Sequence, residues 1–246
     1  MIRREAYLLA GPTASGKSAA AAVLARRLGA AILSADSMLV YKGMDVGTAK
    51  PSLAERVEFD MGGVDLVTPA EHFSSGAWLR AAARWLAGMS ADRPVVIVGG
   101  TGLYFSALLR GLDRKWTLPP PSYPVLQLDR AVLHARIAAR LDEMFMQGLA
   151  AEVAALRRQY PVWSDTASAA IGYKEFIDGE DAARVRERIL ARTRQLAKRQ
   201  QTWFRHQATP QYVPASETVA ETAENVWRTW REHGPWQVCL PEEGDK

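Results

Sequence analysis

The sequence predicts an α/β fold: a mostly parallel sheet with helices on both faces, and a helical C-terminal half. Three observations carry this. Short apolar runs of strand length occur at residues 7–10, 31–34, 95–98 and 125–128. Stretches with helical spacing separate the first three, at 18–28 and 76–88. After residue 128 apolar residues recur every three or four positions. Strands covered on both faces read as unbroken apolar runs, and parallel neighbours need a crossover that a helix supplies. The expected division is an α/β core over residues 1–128 and a helical portion over 129–246 that packs on the core and completes it.

Tyr7–Ala10 reads as the first buried strand, followed by a glycine-containing loop, Gly11 to Ser18. The alanine- and leucine-rich stretch 18–28 is a helix closed by Gly29. Ala31–Ser34 forms the second strand and leads to Asp36. The 76–88 helix places Trp78, Ala82 and Trp85 on one side. Val95–Val98 is the third strand, ending in Gly99-Gly100, and Val125–Leu128 is the fourth. The proline-rich run 119–124 is expected to be a connection. Asp129 caps a helix carrying Leu133, Ile137, Leu141 and Met144 at helical spacing. Gly148 interrupts the pattern before Val153 and Leu156 resume it. Further helices are expected at 181–206 and 217–232, the last packed through Val219, Val226, Trp227 and Trp230.

Composition excludes several classes. At 48% hydrophobic and 24% charged residues the chain has ordinary globular chemistry. No segment approaches the roughly 20 apolar residues of a membrane span, and Met1–Glu5 runs straight into a strand. No membrane association is expected, and the cytoplasm is the expected location. The single cysteine, Cys239, and four histidines form no zinc-ligand spacing. Nothing in the sequence calls for more than a monomer. The formal charge is only +4, but eight Lys or Arg residues and one acid, Glu187, lie between Arg184 and Arg205. Such a stretch favours an anionic partner or a solvated helix face.

Residues Gly11-Pro-Thr-Ala-Ser-Gly-Lys-Ser18 match G-x-x-x-x-G-K-[ST] at every fixed position, with a strand before and a helix after. The fold class is therefore P-loop NTPase-like. The backbone N–H groups of Gly11, Thr13, Ala14, Ser15 and Gly16 can turn toward a phosphate at the positive end of a helix. Lys17 reaches outer phosphate oxygens, and Ser18 suits Mg²⁺ or phosphate. Motif and context leave open which phosphate compound binds.

Ligands of open parallel sheets collect beyond the carboxyl ends of the strands. Asp36 stands there beside Ser37, placed to contact Mg²⁺, accept a proton, orient a nucleophile or cap the next turn. Thr101 lies between Gly100 and Gly102, positioned to donate to a leaving oxygen or to cap the next helix. Arg136 and Arg140, four apart, share a helix face and could neutralise a leaving diphosphate. Arg184, Arg188, Arg192 and Arg199 fall on one stripe of the 181–206 helix, beside Val185, Ile189, Leu196 and Trp203. Trp203 and Phe204 read as core residues.

These motifs, in this order, resemble the tRNA dimethylallyltransferases. The likeness rests on Gly11–Ser18, Ser34-Ala-Asp-Ser37, Val40-Tyr-Lys-Gly-Met-Asp-Val-Gly-Thr-Ala-Lys-Pro51 and Gly99-Gly-Thr-Gly-Leu-Tyr104. Gly172-Tyr-Lys-Glu175, Thr193–Gln200 and Thr202-Trp-Phe-Arg205 extend it over most of residues 7–206. The resemblance implies transfer of a dimethylallyl group from dimethylallyl diphosphate to N6 of adenine 37, beside the tRNA anticodon, with release of diphosphate. It implies that Asp36 takes the amine proton and that Thr101 contacts the bridging oxygen. Gly16, Lys17 and Ser18 become the diphosphate cradle, with Mg²⁺, and Arg136 and Arg140 neutralise charge. Ser37, Tyr41, Lys42, Thr48, Lys50, Gly100, Gly102, Arg194, Lys198, Arg199, Gln200 and Arg205 become contacts to substrate or to the anticodon stem-loop.

One departure stands out. Family members usually carry a helical insertion before the helix matching 129–147, which helps grip the anticodon stem-loop. Here that region is shortened to residues 112–128, with Pro119-Pro120-Pro121 inside it, and seventeen residues cannot build a helical subdomain. Alternative functions are therefore an adenine-nucleotide prenyltransferase, a small-molecule kinase, or a non-catalytic RNA-binding homologue.

Overall fold

In the computed structural model, residues 2–110, 122–178, 182–206 and 210–240 are described. The chain runs β1 (Ile2–Ala10), α1 (Lys17–Leu28), β2 (Ala31–Ala35), α2 (Leu53–Glu58), α3 (Ser75–Ala87), β3 (Val95–Gly99) and α4 (Gly102–Arg110). It continues with β4 (Tyr123–Gln127), α5 (Arg130–Met146), α6 (Leu149–Gln159), α7 (Asp165–Ser168), α8 (Lys174–Ile177) and α9 (Ala182–Arg205). It closes with β5 (Pro210–Pro214), α10 (Val219–His233) and β6 (Trp236–Leu240).

The strands form one sheet ordered β2-β3-β1-β4-β5, all parallel along that path, while β6 pairs antiparallel with β1. The expected mostly parallel sheet is thus present, with two strands supplied from the half read as helical. β5 begins and ends in proline, a residue that strands tolerate at a sheet edge, where β5 lies. β6 pairs with the charged first half of β1, Ile2–Ala6, which carries no apolar run. Tyr123 and Pro124, expected in a connection, open β4, because Tyr123 is buried against Phe105. Pro119-Pro120-Pro121 and the rest of 111–121 lie outside the described residues.

Both faces are covered, as period-two geometry requires. Leu8, Ala10, Leu33, Val95, Ile97 and Val125 pack with Trp78, Leu86, Phe105 and Leu108 of α3 and α4. Leu9, Ile32, Val96, Val98 and Leu126 pack on the other side with Leu24 of α1 and Val226 and Trp230 of α10. Asp129 caps α5 through Ala131 and Val132 N–H, and Gly148, at φ 91°, separates α5 from α6. Phe204 is fully buried and Trp203 packs edge-on against it. A Cβ on Gly99 would lie 2.1 Å from the Ala35 carbonyl, so the close approach of the two strand ends requires glycine there. That approach sets Asp36 beside Thr101.

Candidate active site

The loop from Gly11 to Gly16 joins β1 to α1, and Gly16 stands in the left-handed region at φ 86° as the residue before the helix. The Ser15 hydroxyl is buried without a hydrogen-bond partner. Lys17 is buried and donates to the Pro12 carbonyl at 3.1 Å. The Ser18 hydroxyl is exposed. Burial lowers the Lys17 pKa to about 8, with Asp36 favouring its charge and Arg140 opposing it. Below about pH 8 the loop therefore holds an ammonium without a carboxylate hydrogen bond, a site that favours an anion.

This shift has two opposite consequences. Between about pH 8 and 10.5 the unfolded chain keeps the Lys17 proton and the folded one does not. The group's contribution to stability therefore rises with pH over that window, by about 1.4 kcal/mol per unit. Anion binding moves the other way. Titration calorimetry with inorganic diphosphate, corrected for the ligand's own ionisation, should show affinity falling by up to about tenfold per pH unit above pH 8. A flat profile would remove Lys17 from the phosphate site.

Beyond β2 and β3 three polar groups meet. The Thr101 hydroxyl accepts from the Ser37 N–H at 2.9 Å and donates to the Ser37 hydroxyl at 3.2 Å. The Thr101 carbonyl, not its hydroxyl, accepts the first N–H groups of α4, from Tyr104 and Phe105. Asp36 accepts from the Met38 N–H at 2.9 Å through one oxygen and is partly exposed. An aromatic floor lies beneath. Tyr104 stacks on Trp78 at 4.6 Å, and Trp78 donates to the Ser34 carbonyl. Burial, and then the charge of Asp36, raise the Tyr104 pKa above the ordinary tyrosine range.

Arg136 and Arg140 both approach the phosphate loop, as their spacing on α5 requires. Arg136 donates to the Ser216 carbonyl at 2.9 Å, and its guanidinium lies 3.7 Å from where a Gly16 Cβ would stand. Arg140 donates to the Thr13 hydroxyl at 3.3 Å and the Thr48 carbonyl at 3.0 Å, while its Nε is buried without a partner. Gln200 of α9 ties two loops together. It accepts from the Thr13 N–H at 2.8 Å and donates to the Gly100 carbonyl at 3.0 Å. A Cβ on Gly100 would collide with the Gln200 amide, and one on Gly102 with the Trp203 indole. Gln200, Gly100 and Gly102 therefore shape the site from within.

The 41–50 segment differs from its reading as a set of substrate contacts. Tyr41 is fully buried, and the Lys50 side chain is wholly inaccessible. Lys50 donates to the Tyr41 carbonyl and to Asp65 and pairs with Asp45. Apolar packing and this ion cluster withdraw both side chains from any docked RNA. Thr48 donates to the Met44 carbonyl at 2.6 Å, and Lys42 is exposed.

Sequence reading missed what holds this segment. The Glu152 carboxylate accepts from the Asp45, Val46 and Gly47 N–H groups and from the Tyr173 hydroxyl. Burial and the neighbouring Glu152 charge raise the Tyr173 pKa. In the same Gly172–Glu175 motif, Glu175 accepts from the Gly172 N–H at 2.8 Å and from Arg192 at 2.6 Å. The Gly-Tyr-Lys-Glu motif was the available signal.

The remaining basic candidates line a groove of about 750 Å³ between α5, α9, β4 and β5. Arg194, Lys198 and Arg205 face it from α9, joined by Arg130 and His134 from α5, with Tyr212 at its wall and no acid in its lining among the described residues. Its apolar floor, Leu128, Leu133 and Ala197, belongs to a cluster packed against Ala14 of the phosphate loop. Arg199 lies round the same helix, beside Lys198 and Trp203. The groove and the phosphate loop are thus neighbours, though separate.

Comparison with known proteins decides the family. Residues 39–124 and 117–207 match the IPP transferase model, and residues 4–59 match an isopentenyl transferase model. The chain belongs to the IPP transferase family. It is 36% identical to a tRNA dimethylallyltransferase of Azoarcus sp. (strain BH72), over 81% of this chain and 87% of the relative. It is 32% identical to one of Bordetella pertussis, over 93% of this chain and 99% of the relative. Its fold superposes, at a TM-score of 0.81 and 25% identity, on a full-length tRNA isopentenylpyrophosphate transferase of Bacillus halodurans, covering 94% and 98% of the two chains.

The chain is nevertheless shorter than these relatives. The Azoarcus match spans 281 aligned positions, whereas 81% of 246 residues is about 199, leaving about 80 positions without a counterpart here. The two matched pieces of the family model meet at residues 117–124, inside the interval read as a shortened insertion.

Proposed function

We propose that the chain transfers the dimethylallyl group of dimethylallyl diphosphate to N6 of adenine 37 in the tRNA anticodon loop. The observation that carries this reading is a carboxylate and a hydroxyl, Asp36 and Thr101, set at adjacent strand ends beside a phosphate loop with a buried cation. In the reaction the bond between the allylic carbon and the diphosphate oxygen breaks, and its electron pair leaves with diphosphate. The N6–carbon bond forms, and the N6 proton passes to Asp36. Lys17, Arg136 and Arg140 stabilise the departing charge, and the Thr101 hydroxyl, turning its one O–H away from the Ser37 hydroxyl, donates to the bridging oxygen.

Mg²⁺ fits this donor set. Ser18 is exposed in the first turn of α1. Those residues contain no cluster of three or more His, Cys, Asp or Glu side chains able to hold a metal ion. A cation held mostly by substrate oxygens and water matches such a site. Bound there, it supplies positive charge to the diphosphate oxygens. No helix of the described residues is long and apolar enough to cross a membrane. A monomer working in the cytoplasm is part of the same proposal.

The test is incubation with Mg²⁺, labelled dimethylallyl diphosphate and unmodified tRNA containing adenosine 37, beside parallel reactions with AMP, ADP or ATP. Label at N6 of adenosine 37 supports the reading. Label only in the free nucleotide would move the function to an adenine-nucleotide prenyltransferase, and no label in either would sink it.

With the insertion shortened, the α5–α9 groove is the surface expected to hold RNA phosphates. Replacing Arg194, Lys198 and Arg205 together by Gln should weaken tRNA binding about 10- to 100-fold near 0.1 M salt. The salt slope should flatten by about 2 to 3, because each lost phosphate contact removes nearly one released counterion. Filter binding across a salt series reads both. An unchanged slope would remove the groove from the RNA interface.

A further inference from the structure

We infer that Glu152 is a positioning residue for diphosphate binding, acting through the 45–48 backbone on Arg140. The inference rests on the phosphate loop being the diphosphate site. Glu152 lies in the first turn of α6, outside every candidate group read from the sequence. One oxygen accepts from the Asp45 N–H at 3.0 Å and the Val46 N–H at 2.7 Å. The other accepts from the Gly47 N–H at 3.1 Å and the Tyr173 hydroxyl at 2.6 Å. An ionised carboxylate has about four acceptor sites, and here four donors converge on it. A Cβ on Gly47 would lie 2.5 Å from the Tyr173 ring, so glycine is what lets this backbone reach the carboxylate.

The segment is anchored at its far end as well. The buried Lys50 ammonium holds the Tyr41 carbonyl at 2.6 Å and Asp45 and Asp65 each at 2.7 Å. Between the anchors stands Thr48, its hydroxyl turned back on the Met44 carbonyl and its own carbonyl accepting from Arg140. Arg140 reaches the phosphate loop with its other terminal nitrogen, at the Thr13 hydroxyl. A long guanidinium side chain loses much freedom when fixed, and a prearranged carbonyl meets that cost before the anion arrives. The path runs Tyr173, Glu152, residues 45–47, Thr48, Arg140, Thr13. It gives the Asp-Val-Gly-Thr-Ala-Lys block a task no substrate contact explains.

The experiment is a double-substitution cycle read by binding of inorganic diphosphate with Mg²⁺, which does not depend on prenyl transfer. Glu152→Gln places an amide N–H₂ among N–H donors and should weaken diphosphate about tenfold, with tRNA affinity held within about twofold. Arg140→Lys should weaken it by at least as much, because one ammonium cannot reproduce the fork. The double variant should then bind no more weakly than Arg140→Lys alone. Unchanged diphosphate affinity in Glu152→Gln, or effects that multiply, would overturn the inference. A purely structural role would lower Tm and the active fraction while leaving the Kd of the folded protein unmoved, which also overturns it. Should Glu152→Gln fail to fold, Tyr173→Phe removes one donor and keeps the clamp on the backbone. It should give about a two- to fourfold loss that vanishes in the Arg140→Lys background. Multiplying losses there would overturn the inference.

Discussion

Replacing Asp36 by Asn is expected to lower turnover about 100- to 10,000-fold while inorganic diphosphate still binds. The substitution separates two things the carboxylate does. One oxygen accepts from the Met38 N–H at 2.9 Å, and the amide oxygen of Asn can keep that bond and the turn after β2. Asn cannot take the proton that must leave the adenine nitrogen as the new bond forms. The loss should therefore fall on kcat, with KM for the prenyl donor little changed. Asp36 also favours the charged form of Lys17. Its neutralisation lowers the Lys17 pKa further, so both proteins are compared at one pH well below 8. Single-turnover kinetics with tRNA, beside calorimetry with diphosphate, read the two quantities. Full turnover in Asp36→Asn would end the general-base assignment.

Lys17→Met should produce a protein that is more stable and binds diphosphate at least about 100-fold more weakly. The ammonium is buried, donates to the Pro12 carbonyl, and sits near the Arg140 cation. Burying a charge without full compensation is costly, and an apolar side chain of similar volume removes that cost. A gain of about 1–3 kcal/mol corresponds to roughly 2–4 °C of Tm per kcal/mol in a chain of this size. Without the ammonium, an anion in the loop loses a charge-assisted hydrogen bond in a poorly hydrated place, which costs affinity steeply. Thermal unfolding and calorimetry on the same sample test both halves. A lower Tm with unchanged diphosphate affinity would mean that Lys17 serves the fold and not the ligand.

How far the sequence reached differs by residue. The phosphate loop was legible because its function is local: a strand, a compact turn with a left-handed Gly16, and a helix are all encoded within residues 7–28. Asp36 and Thr101 were legible as residues at the ends of apolar runs. Their hydrogen-bonded union through Ser37 was not, because it depends on β2 and β3 being neighbours with Gly99 against Ala35. Arg136 and Arg140 could be paired by helical spacing, whereas only the packing of α5 shows that Arg140 holds Thr13 and Thr48. Tyr41 and Lys50 read as contacts for substrate or RNA because a polar motif does not reveal its own burial; the Asp45 and Asp65 partners of Lys50 withdraw it from the surface. β5 does not read as a strand because it begins and ends in proline; β6, Trp-Gln-Val-Cys-Leu, is a short apolar run whose partner, Ile2–Ala6, lies at the other end of the chain and carries no apolar run of its own.

By itself the sequence determined the period-two and helical patterns, hence a doubly covered parallel sheet, and the chemical identity of the phosphate-loop motif. Both follow from interactions between residues close along the chain. Tertiary structure alone decided that Glu152, more than a hundred residues from Asp45, holds the loop that holds Arg140. It alone decided that Gln200 of α9 joins the phosphate loop to Gly100. Such contacts are made when distant backbone groups need partners on burial, and no local pattern records which distant side chain will supply them.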